Sequence, residues 1–423
     1  MENKKIIQVE EKVPFNLLIP LSLQHMFAMF GATVLVPILF QINPSVVLLM
    51  NGVGTIIFIL ITKGKAPAYL GSSFAFLAPA GLVITKWGYS YALGGFIVVG
   101  FSLCVLSFIV YKFGIKWIDI LLPAAAMGPV VALIGLELAS TAASTAGILP
   151  GTDGSIDSKN VIVFLVTLAV AVFGNVLFRK IFAVIPILIA IVAGYITALL
   201  TNLVTPQIVV DALHKSLLVK PNFQTPHFNL EAILMILPVI LVLASEHIGH
   251  QLVTSKIVGR DLLKDPGLHR SLFADGISTM LSGFVGSVPT TTYGENIGVM
   301  AITKVYSVQV IGGAALLSII ASFIGPVAAL IQTIPGPVIG GISFLLYGMI
   351  GASGIRILVD AKVDYSRSRN LTLTSVVFVT GLSGVAFKIG QVELKGMVLA
   401  CIVGMVLSLL FYIFDKLGWA NDK

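Results

Sequence analysis

Two glutamates, Glu246 and Glu295, stand deep within apolar stretches, ten residues before Lys256 and nine before Lys304. At 1.5 Å per helical residue, each lies about 15 Å from the nearest basic boundary, half of a roughly 30 Å hydrocarbon core. An ionisable group at that depth is costly and marks a functional position by default. Glu246 and His250 are spaced i,i+4 and share a helix face, whereas His247 turns away by about a quarter turn. A carboxyl and an imidazole so placed can exchange a proton directly or through water, and histidine titrates near physiological pH. The same spacing also suits a helix-packing hydrogen bond. Glu246-His247-Ile248-Gly249-His250 offers three potential metal ligands, but not in the order of the zinc pattern His-Glu-x-x-His, and His25 is the one other histidine expected nearby.

Around the two carboxyls the sequence supplies Phe74 and Tyr293 as flat walls, with Ser72, Ser73, Gly294 and Asn296 as polar or backbone donors. Such a pocket suits a small planar ring whose N–H groups meet carboxylates and whose carbonyls meet backbone N–H groups. Physics alone admits other small polar solutes. Glu137 is expected near the outer end of a span, where it reaches the interface, and Asp275 close enough to Arg270 for either an ion pair or a coupling role; neither is counted in the core site. His214, His227 and His269 are expected in loops or at an edge, and Asp153 and Asp157 lack calcium-loop spacing. Cys104 and Cys401 sit in apolar runs and suggest neither a disulfide nor a metal.

These residues need elements to hold them. Of the 423 residues, 57% are hydrophobic and only 11% charged, against roughly a quarter charged in soluble domains. Apolar runs of membrane-spanning length recur with short connections. Fourteen candidate spans fall near 14–40, 44–62, 68–85, 91–111, 117–141, 160–178, 181–203, 229–254, 271–288, 290–303, 306–330, 335–355, 371–388 and 394–414. The net charge of +7 is a matter of placement rather than of nucleic-acid binding. With the N-terminus inside, only Lys86, Lys159, Lys215, Lys220, Lys388 and Lys395 of the 26 basic residues fall outside. That asymmetry places both termini in the cytoplasm and favours an even number of spans.

An internal repeat emerges from paired landmarks. Gln24-His25 and Glu246-His247 are offset by 222 residues, and the same offset carries Ser73 onto Glu295. Gly128-Pro129 and Gly336-Pro337 form a third pair at a shorter offset. Fourteen spans then divide seven plus seven, and an odd number per half inverts the second half. Spans three and ten are short and interrupted by Gly, Ser or Thr with prolines nearby (Pro67 and Pro79; Pro289). Broken helices at matched positions point to a binding site, because their backbone must be satisfied by protein, water or ligand. A packing kink would leave the same trace. Val288-Pro289-Thr290-Thr291-Thr292-Tyr293 favours extended backbone.

Gly294-Glu295-Asn296-Ile297-Gly298 through Thr303-Lys304 resembles the signature of the nucleobase and ascorbate transporter family. Leu23-Gln24-His25, Tyr69-Leu70-Gly71-Ser72-Ser73-Phe74 and Glu246-His247-Ile248-Gly249-His250 join it, so the resemblance extends over essentially the whole chain. Glu rather than Gln at 295 looks like the uracil branch, not the xanthine and urate branch. The resemblance implies an all-α integral membrane protein of 14 transmembrane spans in a 7+7 inverted repeat, with short strands in the broken spans 3 and 10. It implies a core domain (14–111 and 229–330), a gate domain (112–228 and 331–415) and cytoplasmic tails (1–13 and 416–423). It further implies a non-enzymatic uracil:proton symporter of the cytoplasmic (inner) membrane, working by alternating access. No cofactor or metal is implied beyond the proton as coupling ion; the partners are uracil, protons and lipid, in a homodimer, with no nucleic acid. Glu246, Glu295, Phe74, Ser73, Tyr293, Gly294 and Tyr347 would bind the base; Glu246, His250 and Glu295 would couple protons; Gln24, His25, Ser72 and Asn296 would support them. The alternatives are a xanthine or other nucleobase carrier, an anion transporter of the same fold, a channel, or a membrane-embedded enzyme, for which the loops lack Asp-rich metal motifs.

Overall fold

In a bilayer no water satisfies exposed peptide groups, so helix is the default and any other backbone must be paired within the protein. The computed structural model describes residues 6–150, 155–179, 182–183, 185–390 and 392–420. Lys4, Lys5, Lys180 and Lys423, which belong to the 26 basic residues counted above and are expected inside, and Asp153 lie outside them. In chain order come α1 (Phe15–Ala28), α2 (Phe30–Leu39), α3 (Pro44–Ile61), β1 (Leu70–Ser72), a 3-10 turn at Phe74–Phe76, α4 (Leu77–Trp87), α5 (Tyr89–Phe113) and α6 (Lys116–Leu121). They are followed by α7 (Ala124–Leu136), α8 (Ala139–Ala146), α9 (Ser158–Leu177), α10 (Pro186–Leu200), α11 (Pro206–Leu213), α12 (Leu230–Ile236) and α13 (Val239–Val258). The remainder comprises α14 (Leu268–Val285), β2 (Thr290–Thr292), α15 (Gly294–Thr303), α16 (Val308–Ser322), α17 (Gly325–Gln332), α18 (Gly336–Asp360), α19 (Ser368–Leu382), β3 (Ala386–Ile389), β4 (Val392–Lys395) and α20 (Gly396–Lys416).

The chain is predominantly helical. Among the described residues seven segments are long and apolar enough to cross a membrane: α3, α5, α7 with α8, α9, α12 with α13, α18 and α20. Other predicted spans are shorter or interrupted, with local causes. Residues 14–40 divide at Met29 into α1 and α2. Pro123 and Pro238, which lack a donor for the preceding turn, separate α6 from α7 and α12 from α13. The stretch predicted at 371–388 leaves the helix at Leu382; beyond Gly384 (φ 74°) it enters a β3–β4 hairpin, pairing Ala386 with Lys395, that periodicity did not signal.

Helix packing relies on small residues. A Cβ on Gly354 of α18 would strike the backbone of α7 at Ala132 and Gly128, so these helices touch nearly backbone to backbone. Helix α7 also packs on α19, α9 on α10 and α18, and α19 on α20. Another set joins α5 to α14, α3 to α14 and α16, and α1 to α16.

Within the bundle the two broken stretches meet. β1 and β2 pair antiparallel, Leu70 with Thr292, Gly71 with Thr291 and Ser72 with Thr290. The Ser73 N–H extends the ladder to the Pro289 carbonyl at 2.9 Å, and the Tyr293 N–H reaches the Tyr69 carbonyl at 3.3 Å. Flanking helices cover further backbone groups. The Leu70 N–H donates to the Thr55 hydroxyl of α3 at 2.9 Å, and the Thr279 hydroxyl of α14 donates to the Thr290 carbonyl at 2.8 Å. A two-stranded ladder therefore sits in an apolar interior with these backbone groups paired, as the β-branched run at 290–292 foreshadowed.

Candidate substrate site

Each strand feeds a helix start. β1 leads into the turn at Phe74 and then α4, and β2 leads through Tyr293, the N-cap, into α15, whose first turn carries Glu295. First-turn N–H groups have no helical acceptor, so both starts aim donors at the same region. A third wall comes from α13, buried around most of its circumference, which carries Glu246 and His250. The glycine preceding Ser72 is required by shape: a Cβ on Gly71 would run into the Tyr293 ring. That ring is fixed in turn by its hydroxyl, which donates to the Ser72 carbonyl at 3.1 Å.

These walls enclose a cavity of about 340 Å³. Glu246, Glu295, His250, Phe74, Tyr293, Gly294 and Ser72 all line it, together with Thr291 and Thr292 of β2. The opposite wall is Pro186 and Ile187 of α10 and Leu346, Met349, Ile350 and Ser353 of α18. From the buried carboxyls the lining runs to Ile302, 55% exposed, and to Arg356, at the end of the molecule that also bears Lys256 and Lys304. Glu246 Oε2 and Glu295 Oε1 have no hydrogen-bond partner in the protein. Buried polar atoms are ordinarily paired, so two free acceptors on one cavity are suited to N–H donors of a guest.

Not every expected residue faces the cavity. Ser73 is buried, its N–H spent on Pro289. Tyr347 stands behind the lining, its ring edge-on to Phe74 with centroids 5.7 Å apart. His25 and Asn296 bond one another at 3.0 Å outside the lining, and Gln24 is half-buried on α1. No hydrogen bond joins His250 to Glu246. His250 Nδ1 instead meets the Thr292 hydroxyl at 3.1 Å, so the nearest polar partner comes from β2 rather than from its own helix.

Behind the cavity lies a pair that spacing did not reveal. His247, turned away from the site as expected, sets Nδ1 3.1 Å from Asp275 Oδ2 and Nε2 2.9 Å from the Ser271 hydroxyl. The Thr291 hydroxyl donates to the same Asp275 oxygen at 3.2 Å. Asp275 thus bridges α13 and β2, not Arg270 as expected. An i,i+5 spacing falls well round a helix of 3.6 residues per turn, which turns Asp275 away from Arg270. The i,i+4 relation of Ser271 to Asp275 was the available signal. Glu137 likewise proves structural: its Oε2 accepts from the Met397 N–H at the start of α20, at 2.9 Å. Among the described residues no group of three or more His, Cys, Asp or Glu side chains is placed to hold a metal ion.

Comparison with known proteins adds descent to geometry. A family profile described as a permease family matches residues 17–390. A uracil permease of Paenibacillus larvae is 55% identical over 421 residues, covering 99% of each chain. The uracil permease of Escherichia coli K12 is 56% identical over 414 residues, 98% of this chain and 96% of its own. Among solved structures, the murine Slc26a9 anion transporter in its inward-facing state gives a TM-score of 0.69 at 11% identity, covering 96% of this chain and 69% of that one. At that identity the likeness concerns the fold alone.

Proposed function

The chain belongs to the permease family of nucleobase and ascorbate transporters, which are carriers and not enzymes, and on that premise we propose that it imports uracil together with protons. The observation that carries this reading is a buried cavity holding two carboxyls with free acceptor oxygens, set between two helix starts that present backbone N–H groups. Uracil has two ring N–H groups and two carbonyls, and these suit the carboxyls and the backbone donors respectively. Phe74 supplies an aromatic face and Ile187, Leu346 and Ile350 an apolar one. The names of the relatives at 55% and 56% identity support the same substrate.

Proton coupling follows from the cost of moving charge. A carboxylate that travels through a low-dielectric region does so more readily once neutralised. Glu246, Glu295 and His250 are the groups on the cavity that can take up the proton, and its release would follow opening toward the cytoplasm. The paired broken stretches and the offset landmarks support a 7+7 inverted repeat of fourteen spans. In this reading 14–111 and 229–330 form a core that shifts against a gate of 112–228 and 331–415, in a homodimer of the inner membrane. The basic end, with Lys256 and Lys304, is cytoplasmic by the positive-inside rule, so the cavity mouth at Arg356 faces inward. The test is uptake of radiolabelled uracil into proteoliposomes, with and without an inward proton gradient, competed by xanthine, adenine and thymine. Gradient-driven uptake that xanthine does not displace is expected; gradient-independent or xanthine-sensitive uptake would refute the assignment.

A further inference from the structure

The segment ahead of α1 is bound to the far end of the helix that carries Glu295. The Ile7 N–H donates to the Lys304 carbonyl at 3.0 Å, the Tyr306 N–H to the Ile7 carbonyl at 2.8 Å and the Val308 N–H to the Val9 carbonyl at 2.9 Å, forming a short parallel pairing. The Ser307 hydroxyl donates to the Glu11 carbonyl at 2.7 Å, and the Val13 N–H to Gln309 Oε1 at 2.8 Å. Val9 is 1% exposed, and Val13 packs with Val305 and Val310. From the same segment Glu10 pairs with Arg260, the residue after the Gly259 that ends α13. The guanidinium holds the Glu10 carboxyl below its ordinary range. This strap therefore touches the ends of both carboxyl-bearing helices.

Helix α15 needs such a fastening. It has ten residues, shorter than helices that are stable alone, and at about 1.5 Å per residue a sway at Lys304 is carried to Glu295 as a rigid lever. β2 anchors one end, and Lys304 (φ 63°) terminates the other. We propose that residues 7–13 are a positioning strap that fixes Glu295 relative to Glu246 and so sets the affinity of the site for its heterocycle. This rests on the nucleobase reading of the cavity. The ion pair is exposed, Arg260 at 39% and Glu10 at 53%, and exposed pairs contribute little. It sets register, while the backbone pairing and buried valines hold the strap.

Two sets of variants test this, each read by the KM and Vmax of uracil uptake and by amide hydrogen exchange of residues 294–303 without substrate. Deleting residues 6–11 is expected to raise KM about tenfold, with Vmax within about twofold, and to speed exchange in 294–303. Glu10→Arg or Arg260→Glu alone is expected to raise KM about two- to threefold, and the double reversal to restore it. Unchanged KM and exchange in the deletion overturn the proposal, as does a loss confined to Vmax. If the deletion does not reach the membrane, the charge-reversal set decides: a double variant no better than either single overturns it. If the unaltered chain takes up no uracil, the nucleobase reading falls, and the strap is judged on exchange alone, where unchanged rates refute it.

Discussion

At the scale of single residues, the site separates groups that face the cavity from groups that hold them in place. Glu246 offers a free acceptor to the cavity, whereas Asp275 lies behind it with its Oδ2 shared between His247 and Thr291. Glu246→Gln removes a charge-assisted hydrogen bond worth about 1.5–3 kcal/mol, so uracil affinity is expected to fall some ten- to hundredfold while thermal stability holds. Asp275→Asn should do the reverse in proportion, costing about 1–3 kcal/mol of stability by unbalancing a buried network. Binding titration and thermal denaturation on the purified variants separate the two. The carboxyls were readable from sequence because charge so far from a basic boundary admits few explanations. The His247–Asp275 bridge was not, since it depends on which faces of α13 and α14 are turned together.

At the scale of elements, the antiparallel ladder between β1 and β2 is the joint on which the site turns. Both helix starts leave from it, so the donors aimed at the cavity keep their spacing only if the strands move as one body. Cysteines at Ser72 and Thr290, direct partners in the register, are expected to cross-link under mild oxidation with no loss of transport beyond that of the reduced double variant. Loss of transport on cross-linking, restored by reduction, would mean that the strands slide during the cycle. Prolines and β-branched residues announced the broken stretches in sequence. Their pairing with one another did not show, because period-two patterning in three-residue strands is too short to read. The β3–β4 hairpin escaped for a related reason: the apolar run of α19 continues past Leu382 as far as Phe387, and hydropathy does not mark where helix ends.

At the scale of the whole molecule, composition sufficed for a membrane bundle, whereas the division of that bundle around a cavity required the placement of α10 and α18 on the wall across from α13 and α15. The cavity mouth gives a directional prediction. A cysteine replacing Ile302, exposed at the basic end, should react with an impermeant maleimide applied to inside-out vesicles and not to right-side-out cells, with uracil slowing the reaction. Labelling from the outer face would reverse the orientation. The ladder also bears on how the protein is made. The Tyr293 hydroxyl and the Ser72 carbonyl that it caps are 221 residues apart in the chain, so during synthesis the first broken stretch enters the bilayer long before its partner exists. Until Thr290–Thr292 emerges from the ribosome, the peptide groups of Leu70–Ser72 are short of the partners the finished fold gives them. A nascent chain stalled in that interval presents unpaired backbone within the membrane, which only synthesis of the second broken stretch relieves.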